Sequence, residues 1–174
     1  DGSGIAPNYQ GDGWYRKQLD IPETYKGKKL FLQFEAANKE AEVFVNGESV
    51  HTNIGGYLAF TVDITDNVNY GQENIVAVRV NNEVKDSAPL QGDFTFFGGI
   101  YRSVNLLVTD KTHIDVEDYG SSGVYVTIPN DKSIEENAEV TLTVPVKVNS
   151  DDIESKSNSI EVRAEIKDVE GKVR

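Results

Sequence analysis

The sequence predicts an all-β protein, and three observations carry that prediction. Its apolar stretches are short, they alternate with polar residues at the two-residue period of strands, and turn residues bound almost all of them. The candidate strands in order are Gly13 to Leu19, Lys29 to Glu35, Glu42 to Val45, Glu48 to His51, Leu58 to Asp63, Asn74 to Asn81 and Arg102 to Val108. His113 to Glu117, Gly123 to Ile128, Glu139 to Val148 and Ser159 to Lys167 follow. Between the third and fourth, Asn46-Gly47 separates Val43-Phe44-Val45 from Glu48-Ser49-Val50. That dipeptide specifies a type I′ hairpin, because both central residues need positive φ.

The later strands alternate most cleanly. Val140, Leu142, Val144, Val146 and Val148 are expected on a buried face, with Thr141, Thr143 and Lys147 on a wet one. Ile160, Val162, Ala164 and Ile166 set against Glu161, Arg163, Glu165 and Lys167 read the same way. Asp110-Lys111-Thr112 marks a change from aromatic-rich, glycine-punctuated sequence to aromatic-poor sequence, so two domains are expected, 1–111 and 112–174. The second offers about four strands where an immunoglobulin-type sandwich uses about seven. Asp168-Val169-Glu170-Gly171 reads as a hairpin turn near the end, which suggests that the chain stops partway through that domain.

Composition excludes several function classes. A formal net charge of -12 argues against nucleic acid and anionic membrane as partners, since phosphate binding needs clustered Lys and Arg. Cys 0 removes disulfides, thiolate metal sites and cysteine nucleophiles. No apolar run approaches the length of a bilayer span, and Asp1 to Gly13 lacks the charged start and apolar middle of a signal peptide. With Met 0, the sequence reads as a mature or excised segment of something longer.

The chemistry-bearing motifs are few. His51 and His113 stand apart without a carboxylate pair at ligand spacing, so no metal site and no cofactor is expected. Ser121-Ser122-Gly123 and Ser87-Ala88-Pro89 supply no nucleophile elbow, and Gly55-Gly56 and Gly98-Gly99 open no lysine-bearing helix. Trp14 and Arg16 share a strand face on which indole and guanidinium can stack, a structural pairing. Arg102, behind Tyr101, is expected to anchor a carboxylate at the base of the sandwich. Asp93 is the candidate ligand contact. It lies among Phe94, Phe96 and Phe97, where a carboxylate can accept hydrogen bonds from sugar hydroxyls while the rings cover apolar sugar faces.

Several motifs recur in a recognisable order: Gly13-Trp14-Tyr15-Arg16-Lys17, then Ala41 to Gly47, then Gly55-Gly56-Tyr57 with Phe60 and Asp63-Ile64-Thr65. Gly71 with Asn74 comes next, and last Gly98-Gly99-Ile100-Tyr101-Arg102. This order resembles the N-terminal sugar-binding domain of glycoside hydrolase family 2, β-galactosidases in particular. The resemblance implies a jelly-roll (galactose-binding-like) β-sandwich followed by a partial immunoglobulin-like β-sandwich. It also implies that the catalytic glutamates lie in a later (β/α)8 barrel, which this chain lacks, so the chain itself carries no catalytic residue. In the family an aspartate just ahead of the Gly-Ile-aromatic-Arg motif binds sugar hydroxyls, sometimes with a cation, and Asp93 matches its position. Trp14, Arg16, Asn46, Gly47, Gly98, Gly99, Tyr101 and Arg102 then count as structural motif residues.

The partners implied are a β-galactoside-type carbohydrate and the barrel of the same parent chain, in a secreted or periplasmic bacterial enzyme. Ser103, where many members carry an acid, and Ala37-Asn38-Lys39, in place of a glycine-containing turn, loosen the assignment to β-galactosidase rather than β-glucuronidase or β-mannosidase. The usual Pro-His-Thr-Trp type segment that precedes the first motif is missing. An autonomous carbohydrate-binding module and a purely structural docking sandwich stay open as alternatives.

Overall fold

In β1 (Asp12–Ile21) the even-numbered residues from Trp14 to Gln18 face outward and the odd-numbered ones inward, and two later strands of the first sheet, 40–45 and 72–81, alternate in the same way. The computed structural model describes residues 9–83, 98–128, 140–149, 160–165 and 167–173. After a 3-10 turn at Glu23–Tyr25 come β2 (Lys29–Phe34), β3 (Ala37–Asn38), β4 (Glu40–Val45), β5 (Glu48–Ile54) and β6 (Phe60–Asp63). β7 (Gln72–Asn81), β8 (Gly99–Ile100) and β9 (Val104–Thr109) complete the first part.

Two antiparallel sheets face each other. One is four-stranded in the order β1-β7-β4-β5, and the other is three-stranded in the order β6-β2-β9. The chain crosses from the first sheet to the second after β1 and again after β5, and returns before β4 and before β7. That repeated crossing is the connectivity of a jelly-roll sandwich. β3 and β8 form a separate two-stranded ladder at one end.

The core follows from the alternation. Leu30, Leu32 and Phe34 of β2 and Phe60 and Val62 of β6 meet Ala41, Val43 and Val45 of β4 and Val76, Val78 and Val80 of β7, all at most 7% exposed. Phe34 and Phe60 stack with centroids 4.7 Å apart. The Asn46-Gly47 hairpin forms as expected, with φ of 52° and 91°. Asn46 does more than turn the chain. Its Oδ1 accepts the Ile75 N–H at 3.0 Å, and its Nδ2 donates to Asn74 Oδ1 at 2.8 Å and to Asn67 O at 2.9 Å.

Asn74, with no exposed surface, also accepts the Asn69 N–H at 2.7 Å and donates to Asn69 O at 2.9 Å and Gln72 O at 3.1 Å. A buried amide is tolerated here because both of its polar ends are satisfied.

Phe31 departs from the alternation of β2. It points to the outer face of its sheet and is still only 1% exposed. The chain after β9 covers it: the His113 ring lies 5.4 Å from Phe31, and Gln33 Nε2 donates to Gly120 O at 3.0 Å.

Beyond residue 112 the described chain forms two-stranded ribbons. β10 (His113–Ile114) pairs with β13 (Val146–Lys147), and β11 (Tyr125–Thr127) pairs with β12 (Thr141–Thr143). The long strand expected from Glu139 to Val148 is broken at Pro145, which has no N–H to continue a ladder. Its supposed inner face is open, with Val140, Leu142 and Val148 between 38% and 43% exposed, because no second layer faces them among the described residues. Ile160 and Val162 are likewise about half exposed. The hairpin at Asp168 to Gly171 does form, with Gly171 N donating to Asp168 O at 2.9 Å and an antiparallel bridge from Lys167 to Val173. No helix among the described residues is long and apolar enough to cross a membrane.

Candidate functional site

Asp93, with Phe94, Phe96 and Phe97, lies outside the described residues. The residues that bracket it are described, and they are drawn together. Gly11 N donates to Asn82 Oδ1 at 2.8 Å, and Asn82 Nδ2 donates to Tyr9 O at 2.9 Å. Gly98 lies against the same amide, close enough that a Cβ there would meet Asn82 Nδ2 at 2.8 Å. The two ends of the stretch that carries Asp93 therefore touch.

The exit from that stretch is held by side chains from three elements. Tyr15 takes an inward position in β1, opposite Val78, and its Oη accepts the Ile100 N–H at 3.2 Å. Gly99, at φ 92°, lies so close to the same hydroxyl that no side chain fits between them. Tyr101 Oη donates to Gly56 O. Gly56 is flat against the Asn38 side chain, where again a Cβ would overlap. Lys39 N donates to Asn81 O at 3.2 Å, and Lys39 O accepts the Gly55 N–H at 2.9 Å. Asn38 and Lys39, 2% and 6% exposed, are thus buried at this pole of the sandwich.

The motif residues divide by place. Gly98, Gly99 and Tyr101 belong to this pole, and Asn46 and Gly47 to the opposite end of β4. Trp14 and Arg16 share the outer face, as the alternation requires, but they do not stack on each other. The indole instead sits 5.6 Å from Phe44 and is 62% exposed. Ala77, the cross-strand neighbour of both Arg16 and Phe44, is small enough to leave that space. Arg102 is exposed, and its guanidinium lies 5.8 Å over the Tyr101 ring, with no carboxylate of the described residues paired to it.

Two polar clusters flank the core among the described residues. Arg79 on the outer face holds Asp12, Glu40 and Glu42 at 2.9–3.1 Å. Burial alone would raise the Asp63 carboxyl, but hydrogen bonds from Lys29 Nζ at 2.7 Å and from Thr65 outweigh it and hold the group below its ordinary range. Burial pushes the His51 imidazole down, beside the Phe60 ring at 5.9 Å. His113 Nδ1 lies 3.1 Å from Lys111 O. Each histidine therefore packs on its own ring, and no group of His, Asp or Glu among the described residues is placed to hold a metal ion.

Sequence reasoning missed Tyr15, Asn82 and Gly56 as the supports of this pole. The parity of β1 carried the signal for Tyr15, since it stands between two outward residues. Asn82 and Gly56 act through contacts between distant segments, which have no local signature.

Comparison with known proteins gives the family. Residues 3–110 match the model described as "Glycosyl hydrolases family 2, sugar binding domain", and the chain belongs to that family. It is 52% identical over 118 residues to the beta-glucuronidase of Bacteroides fragilis, covering 67% of this chain and 17% of that protein. It is 38% identical over 143 residues to the beta-galactosidase of Thermoanaerobacter pseudethanolicus, covering 80% and 18%. The crystal structure of Bacteroides uniformis beta-glucuronidase superposes with a TM-score of 0.73 at 39% identity, over 79% of this chain and 16% of that one. The chain thus spans less than a fifth of each of these relatives.

Proposed function

We propose that this chain is the sugar-contacting region of a β-glycosidase of family 2, and that it shapes a pocket whose catalytic residues belong to a barrel elsewhere in the same polypeptide. The observation that carries the reading is the pinched neck at Asn82 and Gly98, which brings together the two ends of the stretch bearing Asp93. A carboxylate carried beyond so fixed a neck can take sugar hydroxyls as hydrogen-bond donors when the rest of the pocket closes around the ring.

Residues 1–111 form the sugar-binding unit in this reading, and 112–174 begin an immunoglobulin-like one. The family match ending at residue 110 supports that division. The names of the relatives give the substrate class as a β-glucuronide or a β-galactoside, and the 52% identity to a beta-glucuronidase favours the uronide over the galactoside that the motif order suggested.

The test is kinetic. The full-length parent should turn over a chromogenic β-glucuronide faster than the β-galactoside, and Asp93→Ala should lower kcat/KM by about a hundredfold, the cost of a charged hydrogen bond to substrate. Unchanged kinetics in Asp93→Ala, or turnover by the 174-residue chain alone, would overturn the reading.

A further inference from the structure

The outer face of the four-stranded sheet carries an aromatic pair that nothing covers among the described residues. Trp14, 62% exposed, meets Phe44 of β4 with ring centroids 5.6 Å apart and an interplanar angle of 36°. An indole offers a large flat apolar area and is mostly covered in folded proteins, so one left open on a regular strand marks a binding surface.

Its seat is rigid. β1 pairs with β7 along its whole length and β7 pairs with β4, so both rings stand on adjoining ladders. Arg16, Ala77 and Phe44 form one cross-strand row, in which the methyl group of Ala77 leaves the indole room beside Phe44. The rings are thus in place before any ligand arrives, which spares the cost of ordering them.

The flanks are polar and of both signs. On one side Arg79 stands opposite Trp14 and holds Asp12, Glu40 and Glu42. On the other, Arg16 and Gln18 face outward from β1, and neither is bonded to a described side chain. Guanidinium and amide N–H groups donate hydrogen bonds and carboxylate oxygens accept them, so the platform lies between donors and acceptors.

We infer that Trp14 and Phe44 form a binding platform for a neutral oligosaccharide of equatorial pyranose units, a β-linked glucan being the simplest case. Three observations choose this occupant. An all-equatorial pyranose turns axial C–H bonds toward an indole, while the hydroxyls on its rim both donate and accept hydrogen bonds, as the two flanks require. The three carboxylates beside the platform, in a chain of net charge -12, disfavour a polyanionic glycan. Size disfavours a second copy of the chain, since an aromatic side chain supplies about 150–250 Å² and a stable interface takes about 800 Å² per partner. No residue of the neck takes part, so this platform is independent of the sugar contact proposed for Asp93.

The experiment is isothermal titration of the full-length parent with cellotetraose, repeated on Trp14→Ala, Trp14→Tyr, Arg16→Gln and Asp93→Ala. The parent should bind saturably, Trp14→Ala should weaken binding about tenfold, Trp14→Tyr much less, and Arg16→Gln about threefold. Asp93→Ala should leave the affinity unchanged, and Trp14→Ala should leave turnover of a chromogenic monosaccharide glycoside unchanged. No saturable heat from the parent, or full affinity in Trp14→Ala, would overturn the inference. So would loss of binding in Asp93→Ala, which would place the tetrasaccharide at the pole. A sedimentation coefficient that falls in Trp14→Ala would make this face a contact between copies and overturn it too. Tighter binding of tetragalacturonate than of cellotetraose would overturn the neutral class.

Discussion

Tyr15 Oη accepts the backbone N–H of Ile100 at 3.2 Å, so a side chain of the first strand fixes a residue 85 positions later. The hydroxyl also occupies the space that a side chain at 99 would need. One oxygen thus explains both the tyrosine and the glycine.

Tyr15→Phe should lower stability by about 1 kcal/mol, the usual worth of one such bond. Gly99→Ala should cost more, about 2–3 kcal/mol, from positive φ and the clash together. The double variant should be less destabilised than the sum, because removing Oη leaves Cζ as the nearest atom, at 3.4 Å from a Cβ at 99. Urea denaturation of the three variants measures the coupling, and strict additivity would contradict it.

Asn74→Ala should destabilise by about 1–3 kcal/mol, since it removes a buried amide that accepts from Asn46 Nδ2 and the Asn69 N–H and donates to the Asn69 carbonyl. Asn74→Asp directs a carboxylate at the Asn69 and Gln72 carbonyls. Its defect should therefore deepen as pH rises through the carboxylate range, which thermal unfolding at pH 4 and pH 7 would show.

Asp63 should make the sandwich acid-sensitive. Its folded pKa lies below the ordinary 3.8, so its contribution is fully present above that value and is lost as pH falls through the lower folded value. Asp63→Asn is expected to be less stable than the parent by about 1 kcal/mol at pH 7, a figure discounted for its partial exposure, with the gap closing as pH falls below 3.8. A gap independent of pH would refute the assignment.

Arg79→Leu leaves Asp12 of β1 and Glu40 and Glu42 of β4 without their shared cation on the strand between them. A loss of about 1–2 kcal/mol is expected, partly recovered in 0.5 M salt because screening weakens repulsion among exposed carboxylates. Recovery should be absent in the parent.

Much of the sandwich was legible because its strands obey local rules. Asn46-Gly47 admits few alternatives to a hairpin, and the inward valines of β4 and β7 write the core directly into the sequence. The pole was legible only in part. Its glycines stood out, but their reason is a contact with Tyr15, Asn38 or Asn82, each far away along the chain. Trp14 was expected beside Arg16 as a packed structural pair, yet β1 is an edge strand whose outer face nothing covers among the described residues, so the indole stays open beside Phe44. The valines after residue 139 alternate as a buried strand would, but alternation records only that one face is apolar. It does not supply the layer that would bury it.

The burial of Phe31 under His113 changes where the molecule can be cut. A chimaera joined at residue 111 would bare an apolar ring in the middle of a sheet face and invite self-association. The strap that follows β9 stays tied to the sandwich as far as Gly120, whose carbonyl accepts the Gln33 amide. A junction placed after that strap should keep Phe31 covered.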